Sequence, residues 1–326
     1  MIDQPNLAAE KNIRRWIEAT MGEIVAMDIL PGWRPAWNAS VRTPEGVIHI
    51  HIRGERGAGQ ETQPLRVEYD VLRLLEGETI AVPHVHGWCD SPPAIAMERI
   101  NATAFAGGAD RDAKLHQLVG DYMAIMASVH RIDVAKAVAI GLPQPQDPQA
   151  TALAYFGDAD QHYQSHRDGA DALIAFLRRW VLRNLPLHRT ETALLIADAP
   201  QFFHDGDRIT HIYDLELAHI GDPMADLASI RVRDINEPIG DLTPLLQRYV
   251  SESGKAIDWV ALDFHTIASF LAVPMRMGSA LRTQHQLPAY VEYLSWDLGC
   301  RRAALEILAQ VRGVELGPVA DLVPLG

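Results

Sequence analysis

Asp198, Gln201, Asp214 and Glu216 lie close together in the chain and are the residues most able to do chemistry. Asp198 closes an apolar run, LLIAD (194–198). The following stretch, FFHDGDRITHIYD (202–214), reads as a β-hairpin turning at Asp205-Gly206, with strands at 202–203 and 209–213. Its second strand returns Asp214 to the rim where Asp198 stands, with Glu216 two residues on. Two carboxylates from adjacent elements can hold a divalent cation and place a base beside it. Asp222-Pro223 then opens a helix, and Asp222 and Asp226 read as structural caps of its first turn.

A second set of charged residues lies upstream. VIHIHIRG (47–54) alternates cleanly, so Ile48, Ile50 and Ile52 face one way and Val47, His49, His51 and Arg53 the other. A helix at 64–76 carries Leu65, Tyr69, Leu72 and Leu75 as its apolar stripe, and Glu68 lies on that stripe. A carboxylate so placed needs a partner if it is buried. Lysine is scarce: Lys11, Lys114, Lys136 and Lys255 are the whole supply, and none falls in the stretch that holds Arg53.

The elements around these residues fall into two parts. An amphipathic helix at 8–21 precedes strand patterns at 24–30 and 47–54, and the segments TIAVPHVHGWCD and PPAIAMERI complete a small sheet with one inserted helix. Beyond residue 100 helices dominate, at 113–130, 171–183, 243–252, 258–273 and 288–312. The proline-rich GLPQPQDPQAT (141–151) reads as a loop, and Pro274 is expected to end or kink its helix. The fold class is therefore α+β and two-lobed, with a small antiparallel-sheet lobe at 1–100 and a mainly helical lobe at 101–326.

Composition narrows the function classes. The 326 residues carry 29 basic and 42 acidic side chains, net charge −13, which disfavours a nucleic-acid binder. Cys89 and Cys300 have neither zinc spacing nor a disulfide framework. No signal segment and no apolar run long enough to span a bilayer is evident. A cytoplasmic monomer or homodimer acting without a membrane partner is expected.

The segment D-L-E-L-A-H-I-G-D-P-M-A-D-L-A (214–228) resembles the D-x-E-x-A-x-x-G-D-P-x-x-D-L-A pattern of the aminoglycoside phosphotransferase and choline kinase-like family, whose fold is related to protein kinases. RVEYDVLRLL (66–75) is similar to its glutamate helix, AIAMERI (94–100) to its lobe-connecting segment, and YMAIMASVHRID (122–133) to its helix ending in Leu-His. The resemblance implies phosphoryl transfer from ATP or GTP, with Mg2+, to a hydroxyl of a small molecule. It implies Asp198 as the base and Asp214 as the main magnesium ligand, with Gln201 and Glu216 beside it. Arg53 would hold phosphate, paired with Glu68, and the Met97-Glu98 segment would hold the base of the nucleotide above His51. His130 would buttress the catalytic loop.

Several departures from the family pattern matter. Ile196-Ala197-Asp198 stands where the family has His-Gly-Asp, and Phe203 stands where its Asn falls, five residues after the Asp. Gln201 is the nearest amide, in a loop two residues short; a gapless pairing backwards from Asp214 would instead put Gln201 on the Asn and Ile196 on the Asp. The glycine-rich turn is reduced to Pro31-Gly32-Trp33, and Trp33 and Trp37 either cover a pocket or pack the sheet. Two function classes therefore stay open: a working small-molecule kinase, and a kinase-like protein that binds a ligand without turnover. A metal pair at His49 and His51, or a phosphohydrolase dyad at His204-Asp205, is a weaker reading than a strand face and a turn. Asp158, Asp160 and His162 are possible acceptor contacts.

Overall fold

The computed structural model describes residues 4–30, 34–56, 63–105, 113–167, 169, 171–283 and 289–314. The reduced turn at Pro31-Gly32-Trp33 lies outside the described residues. Helix α1 (Gln4–Thr20) packs on an antiparallel sheet of β1 (Glu23–Ile29), β2 (Ala36–Thr43), β3 (Gly46–Gly54), β4 (Val85–Asp90) and β5 (Pro93–Glu98), in spatial order β1-β2-β3-β5-β4. Helix α2 (Leu65–Gly77) is inserted between β3 and β4. The alternation in β3 sorts its faces: Ile50 and Ile52 are fully buried with Trp37, Val41 and the α1 residues Ile13 and Ile17. Trp37 thus packs the sheet. The opposite face carries His51 and Arg53.

After the short β6 (Thr103–Ala104) come α3 (Ala113–Val129), α4 (Val134–Ala139), α5 (Pro148–His166) and α6 (Ala172–Arg183). Helix α5 was not legible in the sequence pattern, which made 141–151 a loop. Asp147 caps it by accepting from the Ala150 N–H at 2.7 Å, and Pro148 stands at its first position, where no donor is needed. Strands β7 (Ala193–Leu195), β8 (Phe202–His204), β9 (Ile209–Ile212) and β10 (His219–Gly221) follow. β8 and β9 form the expected hairpin, and β7 pairs with β10. At the turn, Asp205 accepts from the N–H groups of Asp207 and Arg208, and the Gly206 N–H donates to His204. Turn chemistry accounts for the His204-Asp205 pair.

Helices α7 (Pro223–Asn236), α8 (Leu242–Ser253), α9 (Trp259–Thr283) and α10 (Ala289–Val311) complete the chain. Helix α9 continues through Pro274 rather than ending there. The loss of one backbone bond is outweighed by its position: Phe270, Leu271 and Met275 around the proline are buried against α5, α6 and α10. Helix α2 shares one apolar core with α3 and the hairpin, since Leu72 and Leu75 belong to the same cluster as Leu118, Tyr122 and Phe202. The sheet face bearing Arg53 is thereby held against the hairpin bearing Asp214. No helix among the described residues is long and apolar enough to cross a membrane.

Candidate active site

The loop after β7 carries the first carboxylate. The backbone turns into the left-handed region at Ala197 (φ 52°) and Asp198 (φ 39°), and does so again at Asp214 (φ 61°). Non-glycine residues pay about 1–3 kcal/mol for such conformations and keep them only where their surroundings hold them. Here the holder is Asp226, which is 1 % exposed. Its carboxylate accepts from the Ile196 N–H at 2.9 Å, the Ala197 N–H at 2.8 Å and His130 Nε2 at 2.9 Å. Tyr249 Oη lies 2.8 Å from His130 Nδ1 and completes the buried chain. His130 therefore supports the loop as expected, but Asp226 is a loop anchor and not a helix cap. Asp222 alone caps α7, through the Met224 N–H, and Arg189 grips it with two hydrogen bonds. Burial opposes the charge on Asp222, but donors from His265 and Arg189 hold its carboxyl far below the usual range.

So positioned, Asp198 and Asp214 share one donor. Gln201 Nε2 donates to Asp198 Oδ2 at 2.8 Å and to Asp214 Oδ2 at 3.1 Å. The shortened loop brings the amide between the two carboxylates. Phe203 packs on Tyr213 with ring centroids 4.5 Å apart. Asp198 is 45 % exposed and also accepts from Arg233 Nη2 at 2.8 Å. The protein packed around its carboxyl pushes the pKa up to about 6, Arg233 opposing and the Asp214 and Glu216 charges adding to the rise. Burial works in the same direction on Asp214, but the Arg53 charge and hydrogen bond, with Gln201, hold that carboxyl below its ordinary value.

Arg53 faces both lobes of the cleft. Its Nε lies 2.9 Å from Glu68 Oε2, a close ion pair off the N–H direction. Its Nη2 donates to Asp214 Oδ1 and, at 3.2 Å, to Glu216 Oε2. Burial pushes Glu68 up to about 7, with Arg53 pulling the other way. The carboxylate on the apolar stripe of α2 thus has the partner that its position required.

Glu216 meets guanidinium groups in the structure. Arg34 Nη2 and Arg53 Nη2 both reach its Oε2, and Arg56 Nη2 lies 2.8 Å from its Oε1. Both oxygens are engaged by guanidinium groups, so the carboxylate serves an arginine cluster. Arg34 and Arg56 carried no motif in the sequence; the only signal was arginine in a lysine-free stretch. Among the described residues no three His, Cys, Asp or Glu side chains converge as a metal site. Asp214 with an amide suits a hard cation that takes its remaining ligands from water and phosphate. Gln201 offers its nitrogen to both carboxylates, and rotating the amide half a turn would present the oxygen instead.

Next to these groups lies a cavity of about 320 Å³ lined by His51, Arg53, Glu68, Met97, Phe203, Tyr213 and Asp214, with Glu98 at its edge. His51 Nδ1 lies 3.0 Å from Asn38 Oδ1. Burial, then Arg53 and Arg99, depress its pKa to about 4, so the ring is neutral at pH 7. The Nδ1–H therefore donates to Asn38 and Nε2 is left as an acceptor. The Glu98 N–H is engaged by the His84 carbonyl at 2.7 Å. His49 is exposed and bonded to Ser40. On the far side of Asp198 a smaller pocket is lined by Tyr155, His219, Ser269 and Trp296. Asp158 and Asp160 are paired with Arg276 and Arg178, and His162 stacks on His166.

A five-stranded antiparallel sheet with one inserted helix, clasped to a helical half across a cleft bearing Arg53–Glu68, Asp198 and Asp214, defines a protein kinase-like fold. The family model described as the phosphotransferase enzyme family matches residues 53–265, and the chain belongs to that family. Solved structures agree on the fold. A candidate aminoglycoside phosphotransferase from Ralstonia eutropha superposes with TM-score 0.69 at 16 % identity, covering 94 % of this chain and 99 % of its own. A choline kinase from Streptococcus pneumoniae gives 0.65 at 15 %, covering 92 % and 99 %. An aminoglycoside 2'-phosphotransferase solved with GDP gives 0.62 at 17 %, covering 94 % and 100 %. No curated protein matches the chain.

Proposed function

We propose that this protein transfers the terminal phosphoryl group of a nucleoside triphosphate to a hydroxyl of a small molecule. The observation that carries the reading is the single amide of Gln201 bridging Asp198 and Asp214 at 2.8 and 3.1 Å, beside the 320 Å³ cavity. Residues 1–100 would supply the nucleotide side and 101–326 the acceptor side. The nucleotide base would lie over His51 against Met97 and the Glu98 segment, and Arg53 would hold phosphate, oriented by Glu68.

Phosphoryl transfer asks for positioning and charge neutralisation more than covalent help. Asp198 accepts the acceptor's hydroxyl proton at Oδ, and its raised pKa suits that task near neutral pH. Arg233 fixes the Asp198 carboxylate toward the smaller pocket, where an acceptor would enter between Tyr155 and Trp296. Asp214 and the turned amide of Gln201 are the groups that would hold Mg2+, which when bound neutralises phosphate charge. GDP in one structural relative and the choline and aminoglycoside kinases among the others support nucleotide use and a hydroxyl acceptor.

The competing reading, ligand binding without turnover, is favoured by one departure from the family pattern: Ile196-Ala197 stands where that pattern has His-Gly, and no asparagine lies between Asp198 and Asp214. Asp198→Asn distinguishes the two. The kinase reading expects turnover of nucleotide to fall by roughly 10²–10⁴-fold while nucleotide affinity stays within about threefold. Equal residual activity in wild type and variant supports binding alone.

A further inference from the structure

We propose that His219 selects the acceptor: its Nε2 takes a hydrogen bond from a second donor group of the molecule whose hydroxyl faces Asp198. The acceptor is then a small neutral compound with two or more hydroxyl groups, not a quaternary ammonium or a polyamine. The proposal rests on the kinase reading above and deepens it by naming the class of acceptor.

The strand places the ring. His219 on β10 pairs with Leu195 on β7, three residues before Asp198. Faces alternate along β10, and Ile220 is buried in the apolar core. His219 therefore faces the other way, and it lines the pocket that also touches Asp198, Tyr155, Ser269 and Trp296. Gly221 leaves room at the ring edge: a Cβ there would fall 3.2 Å from His219 Nε2. Tyr155 stacks on the ring, with centroids 5.9 Å apart and planes at 26°, and holds its orientation.

The backbone sets the tautomer. His219 Nδ1 lies 2.8 Å from the Leu217 carbonyl oxygen, which can only accept, so Nδ1 carries the proton. Burial disfavours a second proton and pushes the pKa below its ordinary value. The ring is thus neutral and Nε2 is an acceptor. It is buried and has no hydrogen-bond partner among the described residues. A buried acceptor in that state costs free energy until a donor reaches it.

The flanking aromatic rings argue against a cationic acceptor. Recognition of a quaternary ammonium uses open aromatic faces. Arg276 lies over the Tyr155 ring at 5.3 Å and Arg233 over the Trp296 ring at 5.6 Å, so each ring already carries a guanidinium. Arg233 also pairs with Asp198, the carboxylate that an ammonium would otherwise seek. The pocket is about 50 Å³, room for a few water-sized groups. It suits one short hydroxylated arm, with one hydroxyl at Asp198 and another at Nε2.

The test uses the full chain with Mg2+ and ATP or GTP. Ethylene glycol, glycerol and erythritol are compared as acceptors with 2-methoxyethanol, which keeps one hydroxyl, and with choline. Initial rates give KM and kcat, and histidine 15N NMR reads Nε2 directly. Wild type is expected to show a KM at least about tenfold lower for the polyols than for 2-methoxyethanol, and the polyols should move the His219 Nε2 resonance. His219→Phe keeps a flat ring beside Tyr155; it should erase the KM difference while kcat for the polyols changes less than about threefold. His219→Gln keeps an acceptor and should recover part of the difference. A preference for polyols that survives in His219→Phe overturns the role of His219 and leaves the kinase reading standing. Choline used with the lowest KM, or no preference in wild type, does the same. An Nε2 resonance moved by polyols with no phosphate transferred to any compound supports the contact and overturns the kinase reading. A resonance unmoved by every compound at saturation overturns the contact, whether or not the variants fold.

Discussion

Replacing Asp226 tests how the catalytic loop is held. Its carboxylate receives three donors: two backbone N–H groups, at Ile196 and Ala197, and the His130 ring. All lie in the interior, with Asp226 at 1 % and His130 at 5 % exposure. Each buried donor left without a partner costs about 1–3 kcal/mol, so Asp226→Ala, which strands three, should lose roughly 3–9 kcal/mol. Domains of this kind typically have about 5–15 kcal/mol in hand, so the alanine variant lies near the limit of folding. Asp226→Asn is the better probe. It keeps one acceptor oxygen but points an NH2 at a remaining donor, and should cost at least about 1–3 kcal/mol by the same reckoning. Tyr249→Phe removes only the outer link of the chain and should cost about 0.5–1.5 kcal/mol. Urea denaturation of the three proteins gives the values from midpoint and slope, and a double-mutant cycle between positions 226 and 249 should show coupling. A loss below about 1 kcal/mol in Asp226→Asn, or strict additivity with Tyr249→Phe, would refute the view that this chain of hydrogen bonds holds the loop.

Other outcomes follow from the same geometry. Asp198, with its pKa pushed up to about 6, must be ionised to act, so kcat/KM should hold above pH 6 and fall about tenfold per unit below it. Arg233→Gln removes the cation that lowers this pKa and should move the acid limb to higher pH; a pH–rate profile reads both. His51 binds no proton in the folded protein until about pH 4, whereas an unfolded histidine titrates near 6.5. The unfolded state thus holds the extra proton between those values, and stability should fall as pH drops through that window, by up to about 3 kcal/mol. His51→Gln should flatten the slope in denaturation measured at pH 4 to 7. Gln201→Ala should raise the Mg2+ concentration needed for half-maximal activity about tenfold, read by metal titration, since Asp214 would lose its one neutral companion.

Much of the fold was legible because its strongest patterns are local. The alternation of 47–54 and the Asp205-Gly206 turn produced β3 and the β8–β9 hairpin where the pattern placed them. Helix α5 escaped because prolines before it mark a loop, while the capping by Asp147 outweighs them only once the helix packs on α9. Within the site, Glu68 was readable as a buried acid needing a cation. The sequence could not reveal that Glu216 meets an arginine cluster. That contact depends on Arg34 and Arg56, which are remote in sequence and meet it only across the cleft. The position of Gln201 was equally hidden, since a loop shortened by two residues reaches between the carboxylates only through its left-handed backbone at Ala197 and Asp198.

Whether the bridged pair of carboxylates works as a phosphoryl-transfer site is most directly tested by 31P NMR of magnesium with GTP or ATP and the wild-type protein, in water and with a panel of hydroxyl compounds. The account predicts slow loss of the terminal phosphoryl group to water. It also predicts a new phosphate monoester with at least one acceptor, both abolished in Asp214→Ala and strongly reduced in Asp198→Asn. Nucleotide that binds with magnesium yet stays intact in every mixture would contradict it.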